Sequence, residues 1–320
     1  MYFIIIMNRI QKYQDSIERI FINKLYLKYL NKEDSENIIN NIKKNEYIIT
    51  IFLLSITNNI NKKNKVHQHG YYIGSSFELA LLLIRSLEKP NMYNINSDTF
   101  VKINNLVNIL LSHNLELASS VLSKDKLLKS YTTCFKIMNS KISNSINLDF
   151  EINNGKFEYT DIINYKFNEL KNIKNNLKKQ KKLTFEEIKR YVENKYCPII
   201  ETASLFAWNL GGGQENYSIY IQKLGYYFAF LVKIYYDILE LETDIKNTNL
   251  EYYPNIVINL GIQKTFEFYN FYKKKFIELS IKLDMFTNTL KELIEKMENC
   301  VDKFVENTIG DIREEEEIKI

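Results

Sequence analysis

Glycine and proline are scarce in this sequence, with 9 Gly and 3 Pro in 320 residues. Sheets joined by tight turns use both residues often, so their scarcity disfavours sandwiches, barrels and doubly wound folds and favours long helices. Uninterrupted apolar runs are also short: the opening run MYFIIIM falls well below the roughly 20 residues of a membrane span. Because it lacks a basic leader and a small-residue cleavage site, we expect no signal peptide.

Cysteine is rare, and neither sign of charge dominates. Cys134, Cys197 and Cys300 are far apart and odd in number, which is typical of a reducing compartment, so we expect a cytoplasmic protein. The 43 Lys+Arg against 39 Asp+Glu give a net charge of +4, too mild to indicate a nucleic-acid partner. The basic run at residues 171–182 lacks interleaved aromatics and predicts a solvated helix and loop.

Apolar residues at helical spacing are abundant, and hydrophobic residues make up 45% of the chain. This pattern predicts one all-α domain over residues 1–320, with about ten helices and an acidic tail from about residue 311. The predicted helices include 8–30, one from about 35 to a break at 58–64, 74–87, 100–122, one from the Thr184–Glu187 capping box to Pro198, 199–210, 217–241, and two from about 265 and 284. Residues 139–160 predict a loop or short hairpin.

Carboxylates in an apolar helix are the sharpest chemical feature. Asp237, Glu240 and Asp244 recur at helical neighbour spacing near the end of the predicted helix 217–241, so their oxygens could converge. Buried carboxylates need a neutralising cation, and Mg²⁺ suits a site completed by substrate phosphate. The alternative is that the helix reaches the surface at Asp237 and that these charges are solvated.

A second polar stripe lies on the predicted helix 100–122. Asn108, Ser112 and Glu116 recur at every fourth residue, so their oxygens share one helix face and could hold another Mg²⁺. The chain is rich in Asn, so the spacing could equally arise by chance.

The second half of the chain resembles a known enzyme family. Residues 201–207, ETASLFA, resemble the Lys-Thr-Ala-Ser-Leu-Phe stretch of trans-isoprenyl diphosphate synthases. Leu224-Gly225 and residues 234–240, IYYDILE, resemble that family's second aspartate-rich motif, usually Asp-Asp-Ile-Leu-Asp. Residues 261–266, GIQKTF, resemble the start of the following helix, particularly in versions carried by large DNA viruses. The resemblance implies the all-α isoprenoid synthase fold, a helical bundle around a central cavity.

The early part of the resemblance shows what is missing. Residues 74–87 are similar in position and hydrophobicity to the family's Gly-Lys-Arg-Leu-Arg-Pro helix, and counting forward from them places Glu116 where the first aspartate-rich motif begins. Ser75, Ser76 and Glu78 stand where that helix carries the basic residues that hold isopentenyl diphosphate. Glu201 stands where the family has the lysine before Thr202. The chain also has no Asp-Asp dipeptide. Chain elongation needs two bound diphosphates, each with its own cations, so the sequence argues against ordinary elongation.

Three functions are compatible with this resemblance. The first is a class I terpene synthase, a carbon-oxygen lyase: residues 236–240 resemble the Asp-Asp-x-x-(Asp/Glu) box of those enzymes, and Asn108, Ser112 and Glu116 have the spacing of their Asn-x-x-x-Ser-x-x-x-Glu box. The order of the two boxes is reversed, and Tyr236 replaces the first Asp. The second is a catalytically degenerate partner subunit of a heteromeric prenyl diphosphate synthase. The third is a divergent prenyl diphosphate synthase.

The terpene synthase hypothesis assigns a role to each candidate residue. Mg²⁺ would be held by Asp237, Glu240 and Asp244 on one helix and by Glu116, with Asn108 and Ser112, on a facing helix. The ions would stabilise the diphosphate leaving group of an allylic substrate such as farnesyl diphosphate, and the carbocation would cyclise in a dry aromatic pocket. The expected substrate-binding residues are Thr202, Lys233, Tyr236, Trp208 and Phe230. The expected assembly is a homodimer or a heteromer with a prenyl synthase subunit.

Overall fold

A computed structural model of the chain describes residues 2–23, 32–60, 64–88, 97–119, 122–133, 136, 183–246 and 255–317. Within these ranges the chain contains helices and no strand, so the predicted all-α class is confirmed. The predicted loop or hairpin at 139–160 and the basic run at 171–182 lie outside the described residues. None of the helices so described has the length and apolar character needed to cross a membrane.

The described α-helices are α1 (Tyr2–Asn23), α2 (Lys32–Lys44), α3 (Ile48–Ile60), α4 (Asn64–Glu88), α5 (Ser97–Ser119), α6 (Phe185–Lys195), α7 (Cys197–Leu210), α8 (Ser218–Leu239), α9 (Leu241–Lys246), α10 (Ile256–Leu260), α11 (Ile262–Lys282) and α12 (Asn288–Glu317). A 3₁₀ turn, Glu215–Tyr217, precedes α8, and residues 124–133 are also helical. The predicted acidic tail forms the last turns of α12.

Two helices are at the centre of the bundle. Every residue of α3 from Ile48 to Thr57 is buried, as expected of a helix that is apolar on all sides. Helix α8 packs against α7, α11 and α12, while α3 and α4 pack against each other and against α7. The end of α8 therefore lies among residues from both halves of the chain.

Two glycines allow these helices to approach closely. A Cβ at Gly225 of α8 would lie 2.6 Å from Ser204 Oγ and 2.9 Å from the carbonyl oxygen of Ile200, both in α7. A Cβ at Gly74 of α4 would lie 2.8 Å from the Cα of Thr50 in α3. Both positions are in the segments that carry the family resemblance, and their physical role is helix packing.

The prediction of one helix from residue 35 to the 58–64 break is wrong. Helix α2 ends at Lys44 and α3 begins at Ile48, with a turn between them. Glu46 and Tyr47 have φ values of 57° and 56°, which a right-handed helix cannot include. Apolar residues continue at helical spacing through the turn, so the periodicity gives no sign of the break. The turn brings Asn45 and Glu46 beside α8.

The local signals at α6 and α7 are confirmed. Thr184 and Glu187 form the predicted capping box at the start of α6. Helix α6 ends at Lys195, and Pro198 lies in the first turn of α7, where its missing N–H leaves no helical hydrogen bond unmade. Tyr196, between the two helices, is buried and faces the site described next.

Candidate functional site

The three carboxylates near the end of α8 are buried. Asp237, Glu240 and Asp244 are 1%, 8% and 1% exposed, so they are not the solvated charges of a helix reaching the surface. Burying three carboxylates at one helix end is costly unless each has a specific partner. Each one has such a partner within the chain, and the partners differ.

Asp237 is neutralised by a lysine one turn earlier on α8. Lys233 Nζ donates to Asp237 Oδ1 at 2.7 Å, and both side chains are 1% exposed. The ammonium lies 5.6 Å and 5.2 Å from the ring centroids of Tyr191 and Tyr196, within range of a cation–π attraction. The second oxygen, Oδ2, accepts the backbone N–H of Ile256 at 2.8 Å. Both oxygens of Asp237 thus have protein donors.

Asp244 and the start of α10 are joined by Asn255. The amide Nδ2 of Asn255 donates to Asp244 Oδ2 at 2.7 Å and to the backbone oxygen of Asp237 at 2.9 Å. Its Oδ1 accepts the N–H groups of Val257 and Ile258, which caps α10. Asn255 is fully buried, so one side chain links the start of α10 to α9 and to the end of α8.

Glu240 points in another direction, towards α4. Arg85 donates from Nη2 to Glu240 Oε1 and from Nη1 to Asn45 Oδ1. Its guanidinium carbon lies 3.8 Å from the ring centroid of Tyr236, and the hydroxyl of Tyr236 donates to the backbone oxygen of Asn45 at 3.1 Å. Burial raises the pKa of Tyr236 well above its usual value, so this hydroxyl stays protonated and donates its hydrogen bond.

Two further acidic side chains, Glu46 and Glu78, lie near Tyr236 and Arg85. Glu46 accepts a hydrogen bond from the Tyr235 hydroxyl and lies 2.9 Å from Lys296 Nζ of α12. Glu78 of α4 is fully buried and accepts the backbone N–H of Thr50 at 3.0 Å, near the N-terminus of α3. Burial raises the pKa of the Glu78 carboxyl to about 7, while the helix N–H groups and the charge of Arg85 oppose the shift.

The second predicted group of metal ligands is exposed. Asn108, Ser112 and Glu116 all lie on the solvent side of α5, which packs against α4. Ser76 of α4 donates to the backbone oxygen of Val107 at 3.2 Å. The three residues share a helix face, as their spacing predicts, but that face is solvated, whereas Asp237 and Asp244 are enclosed.

Of the remaining predicted substrate-binding residues, Phe230 and Thr202 are buried in the core and Trp208 is half-buried against it. Phe230 is fully buried and stacks on Tyr272 with a centroid distance of 3.9 Å. Trp208 donates from Nε1 to the backbone oxygen of Gln214 at 2.8 Å. Thr202 is buried, and its Oγ1 has no hydrogen-bond partner in the part of the chain that the structure describes. Of the five, Lys233 and Tyr236 line the buried polar site, while the aromatic rings of Trp208 and Phe230 contact neighbouring protein atoms.

Magnesium, which the family resemblance implies, does not fit these donors. An Mg²⁺ ion prefers an octahedral shell of oxygens, with one or two carboxylates and several waters. Placing it on Asp237 or Glu240 would displace the ammonium of Lys233 or the guanidinium of Arg85 and leave a buried cation unpaired, at a cost of several kcal/mol. Nowhere in the described ranges do three or more His, Cys, Asp or Glu side chains form a group able to hold a metal ion.

The residues that complete the site were not identified from the sequence. Arg85 and Asn255 donate to the carboxylates of Glu240 and Asp244, and Asn45 accepts a hydrogen bond from Arg85. For Arg85 a signal was present, because it is a single base in the otherwise apolar run ALLLIRSL, the same kind of exception that identified Asp237. Asn45 and Asn255 gave no such signal, because Asn is common throughout this chain.

No protein-family model and no curated protein matches this chain. Among solved structures, it is similar to a candidate farnesyl-diphosphate synthase from Marinomonas sp. MED121, with a TM-score of 0.48 and 12% sequence identity. The similarity covers 91% of this chain and 98% of that chain. No residue role follows from this likeness, so the roles proposed next depend on the contacts within the chain.

Proposed function

We propose that this chain is a catalytically degenerate partner subunit of a heteromeric prenyl diphosphate synthase, acting in the cytoplasm. The observation that supports this most strongly is the internal neutralisation of the carboxylates at the end of α8. Lys233 pairs with Asp237 and Arg85 with Glu240. In an enzyme that ionises a diphosphate, those charges would be compensated by metal ions that also bind the substrate.

A partner subunit and a cyclase make different demands on these residues. A cyclase needs carboxylates that metal ions can reach from the substrate cavity, and losing one such electrostatic group costs about a hundred- to a thousandfold in rate. A partner subunit needs its helices to present an interface, and buried ion pairs stabilise those helices without contacting substrate. The family motifs persist in this chain as packing positions, such as Gly225 and Tyr236.

The test begins with the purified chain alone. It is incubated with C10, C15 and C20 allylic diphosphates and Mg²⁺, with and without isopentenyl diphosphate, and diphosphate release and products are measured. We expect no release and no isopentenyl incorporation. The opposite result would be Mg²⁺-dependent diphosphate release that Asp237→Asn and Glu240→Gln abolish and that the exposed-residue control Lys223→Ala retains. It would contradict the proposal and support a class I terpene synthase.

The second arm measures partnership directly. The chain is coexpressed with an active prenyl diphosphate synthase from the same source, and the complex is isolated by size-exclusion chromatography. We expect a stable heteromer whose turnover or product length differs from that of the synthase alone. Asp237→Asn should lower the thermal stability of the chain, because it leaves the Lys233 ammonium unpaired, yet still allow activation below its melting temperature. An active synthase that neither binds nor responds to the chain would refute partnership.

A further inference from the structure

Arg85 is the centre of a buried cluster that joins three segments of the chain. Its side chain is 1% exposed. The guanidinium bonds to Asn45 in the α2–α3 turn and to Glu240 at the end of α8, and it stacks on Tyr236. Glu78, seven residues earlier on α4, is on the same helix face, and the charge of Arg85 acts on its carboxyl.

The charges in this cluster require a cation. Glu240 and Glu78 are 8% and 0% exposed. Glu78 Oε1 is held by the N–H of Thr50, while its Oε2 has no hydrogen-bond partner within the described ranges. Two buried carboxyls close to one guanidinium are a donor set that would attract a divalent ion if the guanidinium were absent, because hard oxygen donors at a buried, negatively charged position are what Mg²⁺ and Mn²⁺ select.

We infer that Arg85 is a built-in cation that closes this end of α8 to divalent metals, so that Glu240 is neutralised without any metal ion. Tyr236 helps Arg85 to take the place of a metal ion. Its ring provides the face on which the guanidinium stacks, and its hydroxyl anchors the Asn45 turn. An aspartate in its place could offer neither contact. The inference concerns the charge balance of this chain alone and holds whether or not the chain is a partner subunit.

The test compares wild type with Arg85→Met by thermal unfolding in EDTA and in millimolar MgCl₂. Wild-type Tm should be the same in both buffers. Arg85→Met should melt lower in EDTA and regain about 4 °C when Mg²⁺ is present at roughly a hundred times its Kd. Arg85→Lys keeps a cation in the cluster and should show no response to Mg²⁺. Lys223→Met, which removes an exposed cation, should behave as wild type in both buffers.

Two results would overturn the inference. In the first, the wild-type Tm rises saturably with Mg²⁺ and Glu240→Gln removes that rise. In the second, Arg85→Met folds but its Tm does not rise with Mg²⁺. If Arg85→Met does not fold, titration of the wild type with Mn²⁺, followed by electron paramagnetic resonance, decides. Saturable binding that Glu240→Gln abolishes would refute a closed site, and its absence supports one. This readout needs neither substrate nor partner, so its failure is distinct from a failure of the proposed function.

Discussion

Replacing Glu78 with glutamine tests the electrostatics of the buried cluster through the pH dependence of stability. Burial raises the pKa of the Glu78 carboxyl in the native chain from the ordinary 4.5 to about 7. Hydrogen bonds from the N–H groups of Thr50 and Ile49 and the charge of Arg85 oppose this shift, and the Glu78 charge in turn acts on the hydroxyls of Tyr236 and Tyr47. Between pH 4.5 and 7 the native carboxyl therefore keeps a proton that the unfolded chain releases.

The sign of the effect follows from this proton difference. Because the native state binds more protons in this interval, the contribution of Glu78 to the free energy of unfolding falls as pH rises, and it levels off above the native pKa. A shift from 4.5 to about 7 corresponds to a loss on the order of 3 kcal/mol. Glutamine has nearly the same shape, does not titrate here and can still accept the N–H of Thr50.

The assay is urea unfolding followed by circular dichroism, at a series of pH values from about 4 to 8, with the linear extrapolation giving the free energy of unfolding. The difference between Glu78→Gln and wild type should move in favour of the variant by about 3 kcal/mol across the interval. The exposed Glu267 provides a matched control, since Glu267→Gln should give a nearly constant difference. Parallel profiles for wild type and Glu78→Gln would show that the buried carboxyl does not titrate as its surroundings indicate.

Two further predictions concern helix packing. Gly225→Ala should destabilise the chain by about 1–3 kcal/mol, because its Cβ would meet Ser204 and the carbonyl of Ile200 and force α7 and α8 apart; urea unfolding measures this, and an unchanged midpoint would mean that the helices are not in close contact there. Phe230→Ala should cost about 3–5 kcal/mol, because it removes a fully buried stacked ring. A loss below about 1 kcal/mol in thermal or urea unfolding would indicate that Phe230 borders open space rather than packed core.

What the sequence predicted correctly depends on local interactions. The capping box of Thr184 and Glu187 involves residues three apart, and Pro198 affects only its own helix turn. The apolar character of α8 indicated a buried helix, because a helix without a polar face has nowhere else to lie. Asp237 was identified in the same way, as a charge that an apolar helix must explain.

What the sequence did not predict depends on contacts between distant segments. The spacing of Asp237 and Glu240 was consistent with one metal site, but their oxygens have different partners, Lys233 and Arg85. Whether Glu240 is available to a metal depends on its partner Arg85, which lies 155 residues away in the chain. The turn at Glu46 was missed because apolar spacing does not record the sign of φ, and without that turn Asn45 would not reach Arg85.

The long sequence separation of the buried cluster has a consequence for folding kinetics. Helices α3 and α4, like α7 and α8, are sequence neighbours that pack together, so each pair can form after closing a short loop. The cluster instead joins residues 155 and 191 positions apart, Arg85 to Glu240 and Asn45 to Tyr236, and such contacts form only after the chain is largely compact. We therefore expect substitutions at Arg85 or Tyr236 to accelerate unfolding far more than they slow refolding, as for contacts absent from the transition state. The ion pair would then determine how long the native chain lasts, and the helix pairs how fast it forms.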